Sequence, residues 1–159
     1  LGGGIFPQAA IITRDEYNVF GAVSLGHYTH EKSPIGAIAG LTTIQFIEEN
    51  NLLSKVQEDA IYMQSELNRF QEKFSLIGDV RGIGLLWGIE LVKNRTTKEK
   101  AITEAEKVMY ACLKRGLSFK VSAGNVLQLS PALTISRAEL KEALQILEES
   151  LTIVHHQKI

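Results

Sequence analysis

Leu52, Val56, Ala60, Met63, Leu67, Phe70 and Phe74 recur at spacings of four and three. Only an α-helix gathers such positions on one side, so this run predicts a long helix with one buried stripe and its charged residues opposite. The next stretch breaks that period. Gly78-Asp79 ends the helix, and over 80–92 Ile83, Leu85, Trp87, Ile89 and Leu91 alternate with Gly82, Gly84, Gly88 and Glu90. A period of two predicts a long strand with one apolar face, and the glycines opposite suggest close approach by another element. A helix and a strand that each own one apolar side must cover each other, which points to an α+β layer.

The other elements fit that plan. Ser33-Pro34 reads as an N-cap followed by proline at the first helical position. The helix it opens carries Ile38, Leu41, Phe46 and Ile47, and its small residues Gly36, Ala37, Ala39 and Gly40 would admit a neighbouring backbone. Thr96 with Glu99 is a capping-box pattern expected to open a third helix, with Ile102, Ala105, Val108, Met109, Cys112 and Leu113 on its apolar face. Gly116 ends it. Short strands are expected over 118–121 and 126–129, joined by Ser122-Ala123-Gly124-Asn125. Ser136 with Glu139 is a second capping box before a helix bearing Leu140, Ala143, Leu144, Leu147, Leu151 and Val154. The order is helix, helix, strand, helix, strand, strand, helix: helices covering a small, mostly antiparallel sheet.

The first thirty residues behave differently. Three consecutive glycines, Gly2-Gly3-Gly4, have a use where a backbone must turn tightly or approach something closely, and that needs chain on both sides. The expectation is therefore the C-terminal piece of a longer polypeptide. Residues 8–13 read as a short buried strand, and 14–30 as a loop rich in Gly, Asn and His. No amphipathic helix covers that strand, so its sheet is expected to lie upstream.

The 159 residues carry a formal charge of −1 with both signs interspersed, which predicts neither a nucleic-acid stripe nor a polybasic membrane patch. The single cysteine, Cys112, excludes a disulfide framework within the chain and reads as an inert core thiol. No apolar run approaches the roughly 20 residues of a membrane span, so a cytoplasmic protein is the expectation. Gly82-Ile83-Gly84-Leu85-Leu86-Trp87-Gly88 is no dinucleotide fingerprint, because its spacing is off by one and its glycines lie within a strand. Ser130-Pro131 is no nucleophile elbow. His27 and His30 lack further metal ligands, and His155-His156 are expected to be exposed. The residues alone show no catalytic constellation.

Four stretches together resemble one family. Leu1-Gly2-Gly3-Gly4-Ile5-Phe6-Pro7 is similar to the glycine-rich segment that follows the cofactor lysine of the class III (ω-) aminotransferases, pyridoxal-phosphate (PLP) enzymes of fold type I. Thr29-His30-Glu31-Lys32-Ser33-Pro34 resembles their Thr-x-x-x-x-Pro segment, and Val80-Arg81-Gly82-Ile83-Gly84-Leu85 their Val-Arg-Gly-x-Gly-Leu strand. Leu129-Ser130-Pro131-Ala132-Leu133-Thr134-Ile135 resembles the substrate-side strand that usually ends Pro-Pro-Leu-Thr-Ile.

The resemblance implies that residues 1–32 are the tail of a large PLP-binding domain and 33–159 the C-terminal small domain. The Schiff-base lysine would lie just upstream of Leu1, so the chain itself would hold no catalytic residue and be inactive alone. Thr29 would donate its hydroxyl to the cofactor phosphate across a homodimer interface. The partners implied are a small-molecule amine or ω-amino acid and a keto acid. One departure stands out: where members acting on α-carboxylates place an arginine, this chain has Gln128. Either another arginine does that work, or the substrate is an amine or phosphorylated amine. The same scaffold hosts ammonia- and phospho-lyases, which form the alternative to transamination. A non-catalytic dimerisation module is the third reading. Arg81 reads as a structural ion pair rather than a substrate clamp.

Overall fold

The computed structural model describes residues 1, 3–17, 19, 21, 26 and 33–156. Thr29, His27 and His30, along with most of the expected loop around them, lie outside the described residues. Two compact units divide the chain, Leu1–Leu53 and Ser54–Ile159.

In the first unit, helix α1 runs over Pro34–Glu49 with Pro34 in its first turn, as the Ser33-Pro34 pair predicts, although the Ser33 side chain makes no cap hydrogen bond. Its buried positions are Gly36 and Gly40. A Cβ on Gly36 would meet Gln8 Oε1 at 2.6 Å and the Phe6 ring at 2.8 Å, so what the small residues admit is the side chains of Phe6 and Gln8 rather than the expected backbone. The expected buried strand over 8–13 is not formed: Ile11 is 93% and Ile12 98% exposed. A strand needs a neighbouring strand to pair its N–H and C=O groups, and the backbone contact shown for this stretch among the described residues is the Leu1 amino group donating to Gln8 O at 2.7 Å. The apolar side chains of α1 at Ile38, Leu41 and Phe46 are likewise exposed.

The second unit holds the sheet. Helix α2 (Leu52–Lys73) reaches into it and presents Met63, Leu67 and Phe70, all fully buried as the stripe predicts. Then come β1 (Ile77–Ile83), β2 (Leu86–Leu91), α3 (Ile102–Leu113), β3 (Lys120–Ser122), β4 (Val126–Leu129) and α4 (Arg137–His156). The sheet order is β1-β2-β4-β3, antiparallel throughout. Trp87, Ile89, Leu91, Leu127 and Leu129 point into one core with α2, α3 and α4. At about 1.5–3 kcal/mol for each large side chain taken from water, this face dominates the stability of the unit.

Residues 80–92 are not one strand but the two arms of a hairpin. Ile83 pairs with Leu86 across the two-residue turn Gly84-Leu85, and Gly84 has φ +56°. Glycine at the first central position is the signature of a type II′ turn, whose twist suits a hairpin. The turn resets the alternation, so Ile83 ends on the outer face at 82% exposure while Trp87 goes inward. The glycine at 82 serves that tryptophan: a Cβ there would sit 2.5 Å from the Trp87 ring and 2.5 Å from Leu86 O. Trp87 Nε1 donates to Gly84 O at 2.8 Å, so the indole also ties down the turn.

The Thr96–Glu99 capping box does not form. Asn94 Oδ1 instead accepts from Thr96 N at 2.7 Å and Thr97 N at 3.1 Å, an Asx turn, and Glu99 pairs with Lys93 at 2.6 Å. Helix α3 starts later, at Ile102, and buries Ala105, Val108 and Cys112 while Ile102 and Leu113 stay exposed. The Ser136–Glu139 box does form, with Ser136 N donating to Glu139 Oε2 at 2.8 Å and Glu139 N to Ser136 Oγ at 3.2 Å. Cys112 is a core thiol whose pKa burial pushes up. His155 is not fully exposed as expected: its ring packs edge-on against Phe74 at 5.9 Å.

Charges tie the helices together. Glu148 on α4 accepts from Arg69 Nη1 at 2.8 Å, Arg69 Nη2 at 2.7 Å and Lys73 Nζ at 2.7 Å, all from α2. The buried Asp59 of α2 accepts from Lys55 at 2.6 Å and from Arg137, at the start of α4, at 2.9 Å. Arg95 donates to the carbonyls of Gln71 and Phe74 at the C-terminal end of α2 and to that of Ile77 at the start of β1, tying the two together from a distant loop.

Two predictions follow from these contacts. Gly82→Ala should destabilise the protein by about 1–3 kcal/mol, since neither a backbone carbonyl nor an indole pinned by its own hydrogen bond can yield; urea unfolding reads it. Hydrogen bonding from Arg69 brings the Glu148 carboxyl down to about 2. A carboxyl depressed on folding contributes stability that is complete above its ordinary value of 4.5 and is lost as pH falls towards 2. Glu148→Gln should therefore flatten the acid limb of the stability profile between those values, with an unchanged limb refuting the link.

Candidate functional site

One face of the sheet is packed and the other is open. Because antiparallel partners lie directly opposite, their side chains share a face, and the register places Arg81, Gly88, Gln128 and Lys120 in one row across β1, β2, β4 and β3. That row is on the open face, since Trp87, Ile89, Leu127 and Leu129 flank it and point inward. The next row along is Asp79, Glu90, Val126 and Ser122. At the other end stand Ile83 and Leu86, both exposed. The open face is thus graded from ionic to apolar, with Gln128 at the boundary.

Gly88 makes the hollow. It has no side chain to fill the space between Arg81 and Gln128, and a Cβ there would press on Val126 at 3.2 Å. The resulting concavity, about 510 Å³ and widely open, is lined by Arg81, Ile83, Leu86, Gly88, Val126 and Gln128 among others. Arg81 is committed. Its Nη1 donates to Asp79 Oδ2 at 2.6 Å and to Glu90 Oε2 at 2.8 Å, and these two hydrogen bonds raise its pKa further. Two carboxylates on one guanidinium leave no net positive charge here, which agrees with the structural ion pair expected of Arg81. Gln128 is differently held: Ser122 Oγ donates to its Oε1 at 2.8 Å. The hairpin carrying that serine turns on Ala123 and Gly124, both at positive φ, 52° and 83°. Ser122 pairs with Val126, so the loop is the three residues Ala123-Gly124-Asn125, and a positive φ at alanine is unusual.

A smaller hollow of about 150 Å³ lies between α2, α4 and the 117–135 stretch, against Met63, Leu129, Pro131, Ile135, Leu144 and Leu147. No titratable group lines it, so it offers no proton transfer. Of the residues singled out in the sequence, Gln128 sits on the open face, and Thr29 lies outside the described residues. The described residues do not by themselves compose a PLP site, because the open concavity is lined by no lysine and its arginine is already paired. Sequence reading missed the Ser122–Gln128 contact. Its signal was available in retrospect: one polar residue opening the Ser-Ala-Gly-Asn stretch and another three residues beyond its end.

Comparison with known proteins gives this geometry a context. The model of the family described as aminotransferase class-III matches residues 1–151. The chain is 57% identical over 154 residues to (R)-1-hydroxy-2-aminoethylphosphonate ammonia-lyase of Vibrio splendidus (strain 12B01), covering 97% of this chain and 32% of that protein. It is 39% identical over 160 residues to leucine/methionine racemase of Thermococcus litoralis, covering 100% of this chain and 36% of that one. Among solved structures, a transaminase from directed evolution by ancestral reconstruction superimposes with a TM-score of 0.78 at 27% identity, over 91% of this chain and 33% of that chain. The chain thus spans about a third of the length of the relatives it matches. Its α+β architecture and a family match running through 151 of its residues place this chain in the class III aminotransferase family, a PLP-dependent group.

Proposed function

We propose that this chain is the C-terminal part of a PLP-dependent lyase that releases ammonia from a small amine carrying a phosphonate group. The observation that carries the reading is the 57% identity, over nearly the whole chain, to an ammonia-lyase acting on a hydroxy-aminophosphonate. Gln128 supports it. An α-carboxylate is best held by a bidentate guanidinium, and the position where that arginine is expected carries a neutral amide beside an arginine already engaged by two carboxylates. PLP, when bound, supplies an electron sink at the carbon bearing the amino group. Loss of ammonia from a vicinal hydroxy-amine leaves a carbonyl compound with no net change of oxidation state, so no keto acid is consumed.

Within this reading, residues 1–32 belong to the large PLP-binding domain and 33–159 to the small one. The Schiff-base lysine comes from polypeptide upstream of Leu1, Thr29 donates to the cofactor phosphate in a homodimer, and the protein works in the cytoplasm. Transamination from an amine to a keto acid is the second reading, favoured by the family match and by the transaminase structures that superimpose on the chain.

Two measurements decide. The full-length protein loaded with PLP should release ammonia from 1-hydroxy-2-aminoethylphosphonate with no keto acid present. Amino transfer that requires pyruvate would establish transamination instead. Thr29→Ala should weaken PLP retention about tenfold or more, the scale of one hydrogen bond to a charged group, when dialysed protein is assayed for residual cofactor. Unchanged retention would remove Thr29 from the phosphate site.

A further inference from the structure

A glutamine at the edge of a binding hollow is ambiguous. Its amide has a carbonyl that accepts and an NH₂ that donates, and the terminal torsion lets either end face a ligand. One end of the amide is taken here by a neighbour. Ser122 and Gln128 lie diagonally across the β3–β4 pair on the same face, and the Ser122 hydroxyl donates to Gln128 Oε1 at 2.8 Å. The two serine and glutamine positions are about 7–8 Å apart at the backbone, a span that the long glutamine side chain bridges. With the carbonyl end occupied, no hydrogen bond within the described residues uses Gln128 Nε2. The hollow on that side is kept open by Gly88, directly opposite Gln128.

We infer that Ser122 is a positioning residue: it holds one end of the Gln128 amide and so directs the other, Nε2 in this structure, over the hollow above Gly88 towards an oxygen of the substrate. The inference deepens the lyase reading and rests on it for placing substrate on this face. A neutral amide with Lys120 directly across on β3 and an Arg81 neutralised by its two carboxylates suits a hydroxyl or phosphonate oxygen. Ser122 and Val126 are the last pair before the short three-residue loop Ala123-Gly124-Asn125, so the register that sets Ser122 against Gln128 is fixed by the hairpin.

The test uses the full-length, PLP-loaded protein and variants S122A, S122T and Q128E, each checked for unchanged cofactor loading and melting temperature. The cofactor absorbance is titrated with (R)-1-hydroxy-2-aminoethylphosphonate and, separately, with 2-aminoethylphosphonate, which lacks the hydroxyl. S122A should weaken binding about three- to tenfold, and S122T should restore it to within twofold. Q128E should weaken it more than tenfold: its carboxylate still accepts from Ser122 but turns lone pairs, not N–H groups, towards the ligand. A Q128E penalty on both amines identifies a phosphonate oxygen as the acceptor, and a penalty confined to the first identifies the hydroxyl. Wild-type affinity in S122A or Q128E, failure of S122T to rescue, or no spectral response of the wild type to either amine would overturn the inference. The titration reads binding whatever becomes of the amine, so failure of the lyase reading shows separately, as ammonia release that depends on a keto acid.

Discussion

The pairing of Gly88 with Gln128 is the constraint on which the open face depends. Strand side chains alternate strictly, so a slip of one residue between β2 and β4 would turn Gln128 into the core and Leu127 or Leu129 out to solvent. Burying an amide among Ile89, Leu91 and Val108 without partners costs several kilocalories, and exposing two leucines adds to that. The hydrophobic core therefore sets the register, and the register sets the site. Two hairpin turns reinforce it from either side, Gly84-Leu85 for β1–β2 and Ala123-Gly124-Asn125 for β3–β4.

What could be read from the sequence divides along a physical line. Periodicity reports burial within an element, so the stripe of α2, the inward residues of β2 and the buried face of α4 were legible. Turn geometry was not, because the apolar residues across 80–92 keep alternating in sequence although the two-residue turn puts Ile83 on the opposite face from Trp87, Ile89 and Leu91. The capping pattern at Thr96 failed because Asn94 competes for the same N–H groups two and three residues on. Arg95 shows a deeper limit. Its three carbonyl partners lie 18 to 24 residues away, and no local pattern announces such a contact. Gln128 was legible only as a departure from a family pattern. Its partner Ser122 emerged only when the strands were paired in space.

The residues of the first unit follow another logic. Ile11 and Ile12, together with most apolar side chains of α1, are exposed, whereas Gly36 and Gly40 are covered by residues 6–8. A helix that is apolar around most of its circumference is built to be enclosed. The sequence registers that requirement faithfully, and residues 8–13 were read as a buried strand for the same reason. Apolar character states what a segment needs rather than what lies beside it in this chain.

The same distinction bears on how one scaffold supports several reactions. The core-facing half of the sheet answers to packing, and a change there, such as a side chain at Gly82, strains the fold before it can alter chemistry. The outward half answers only to its own polar pairings. Arg81 is tied to Asp79 and Glu90, and Gln128 to Ser122, in two separate groups on one surface. Exchanging an arginine for a glutamine at that surface leaves the core untouched and changes the charge presented to a ligand by one unit. A hydroxyl one strand away then holds one end of the new amide. Substrate preference can therefore move by a pair of residues in a β-hairpin, with the four-stranded register and the helices behind it unchanged.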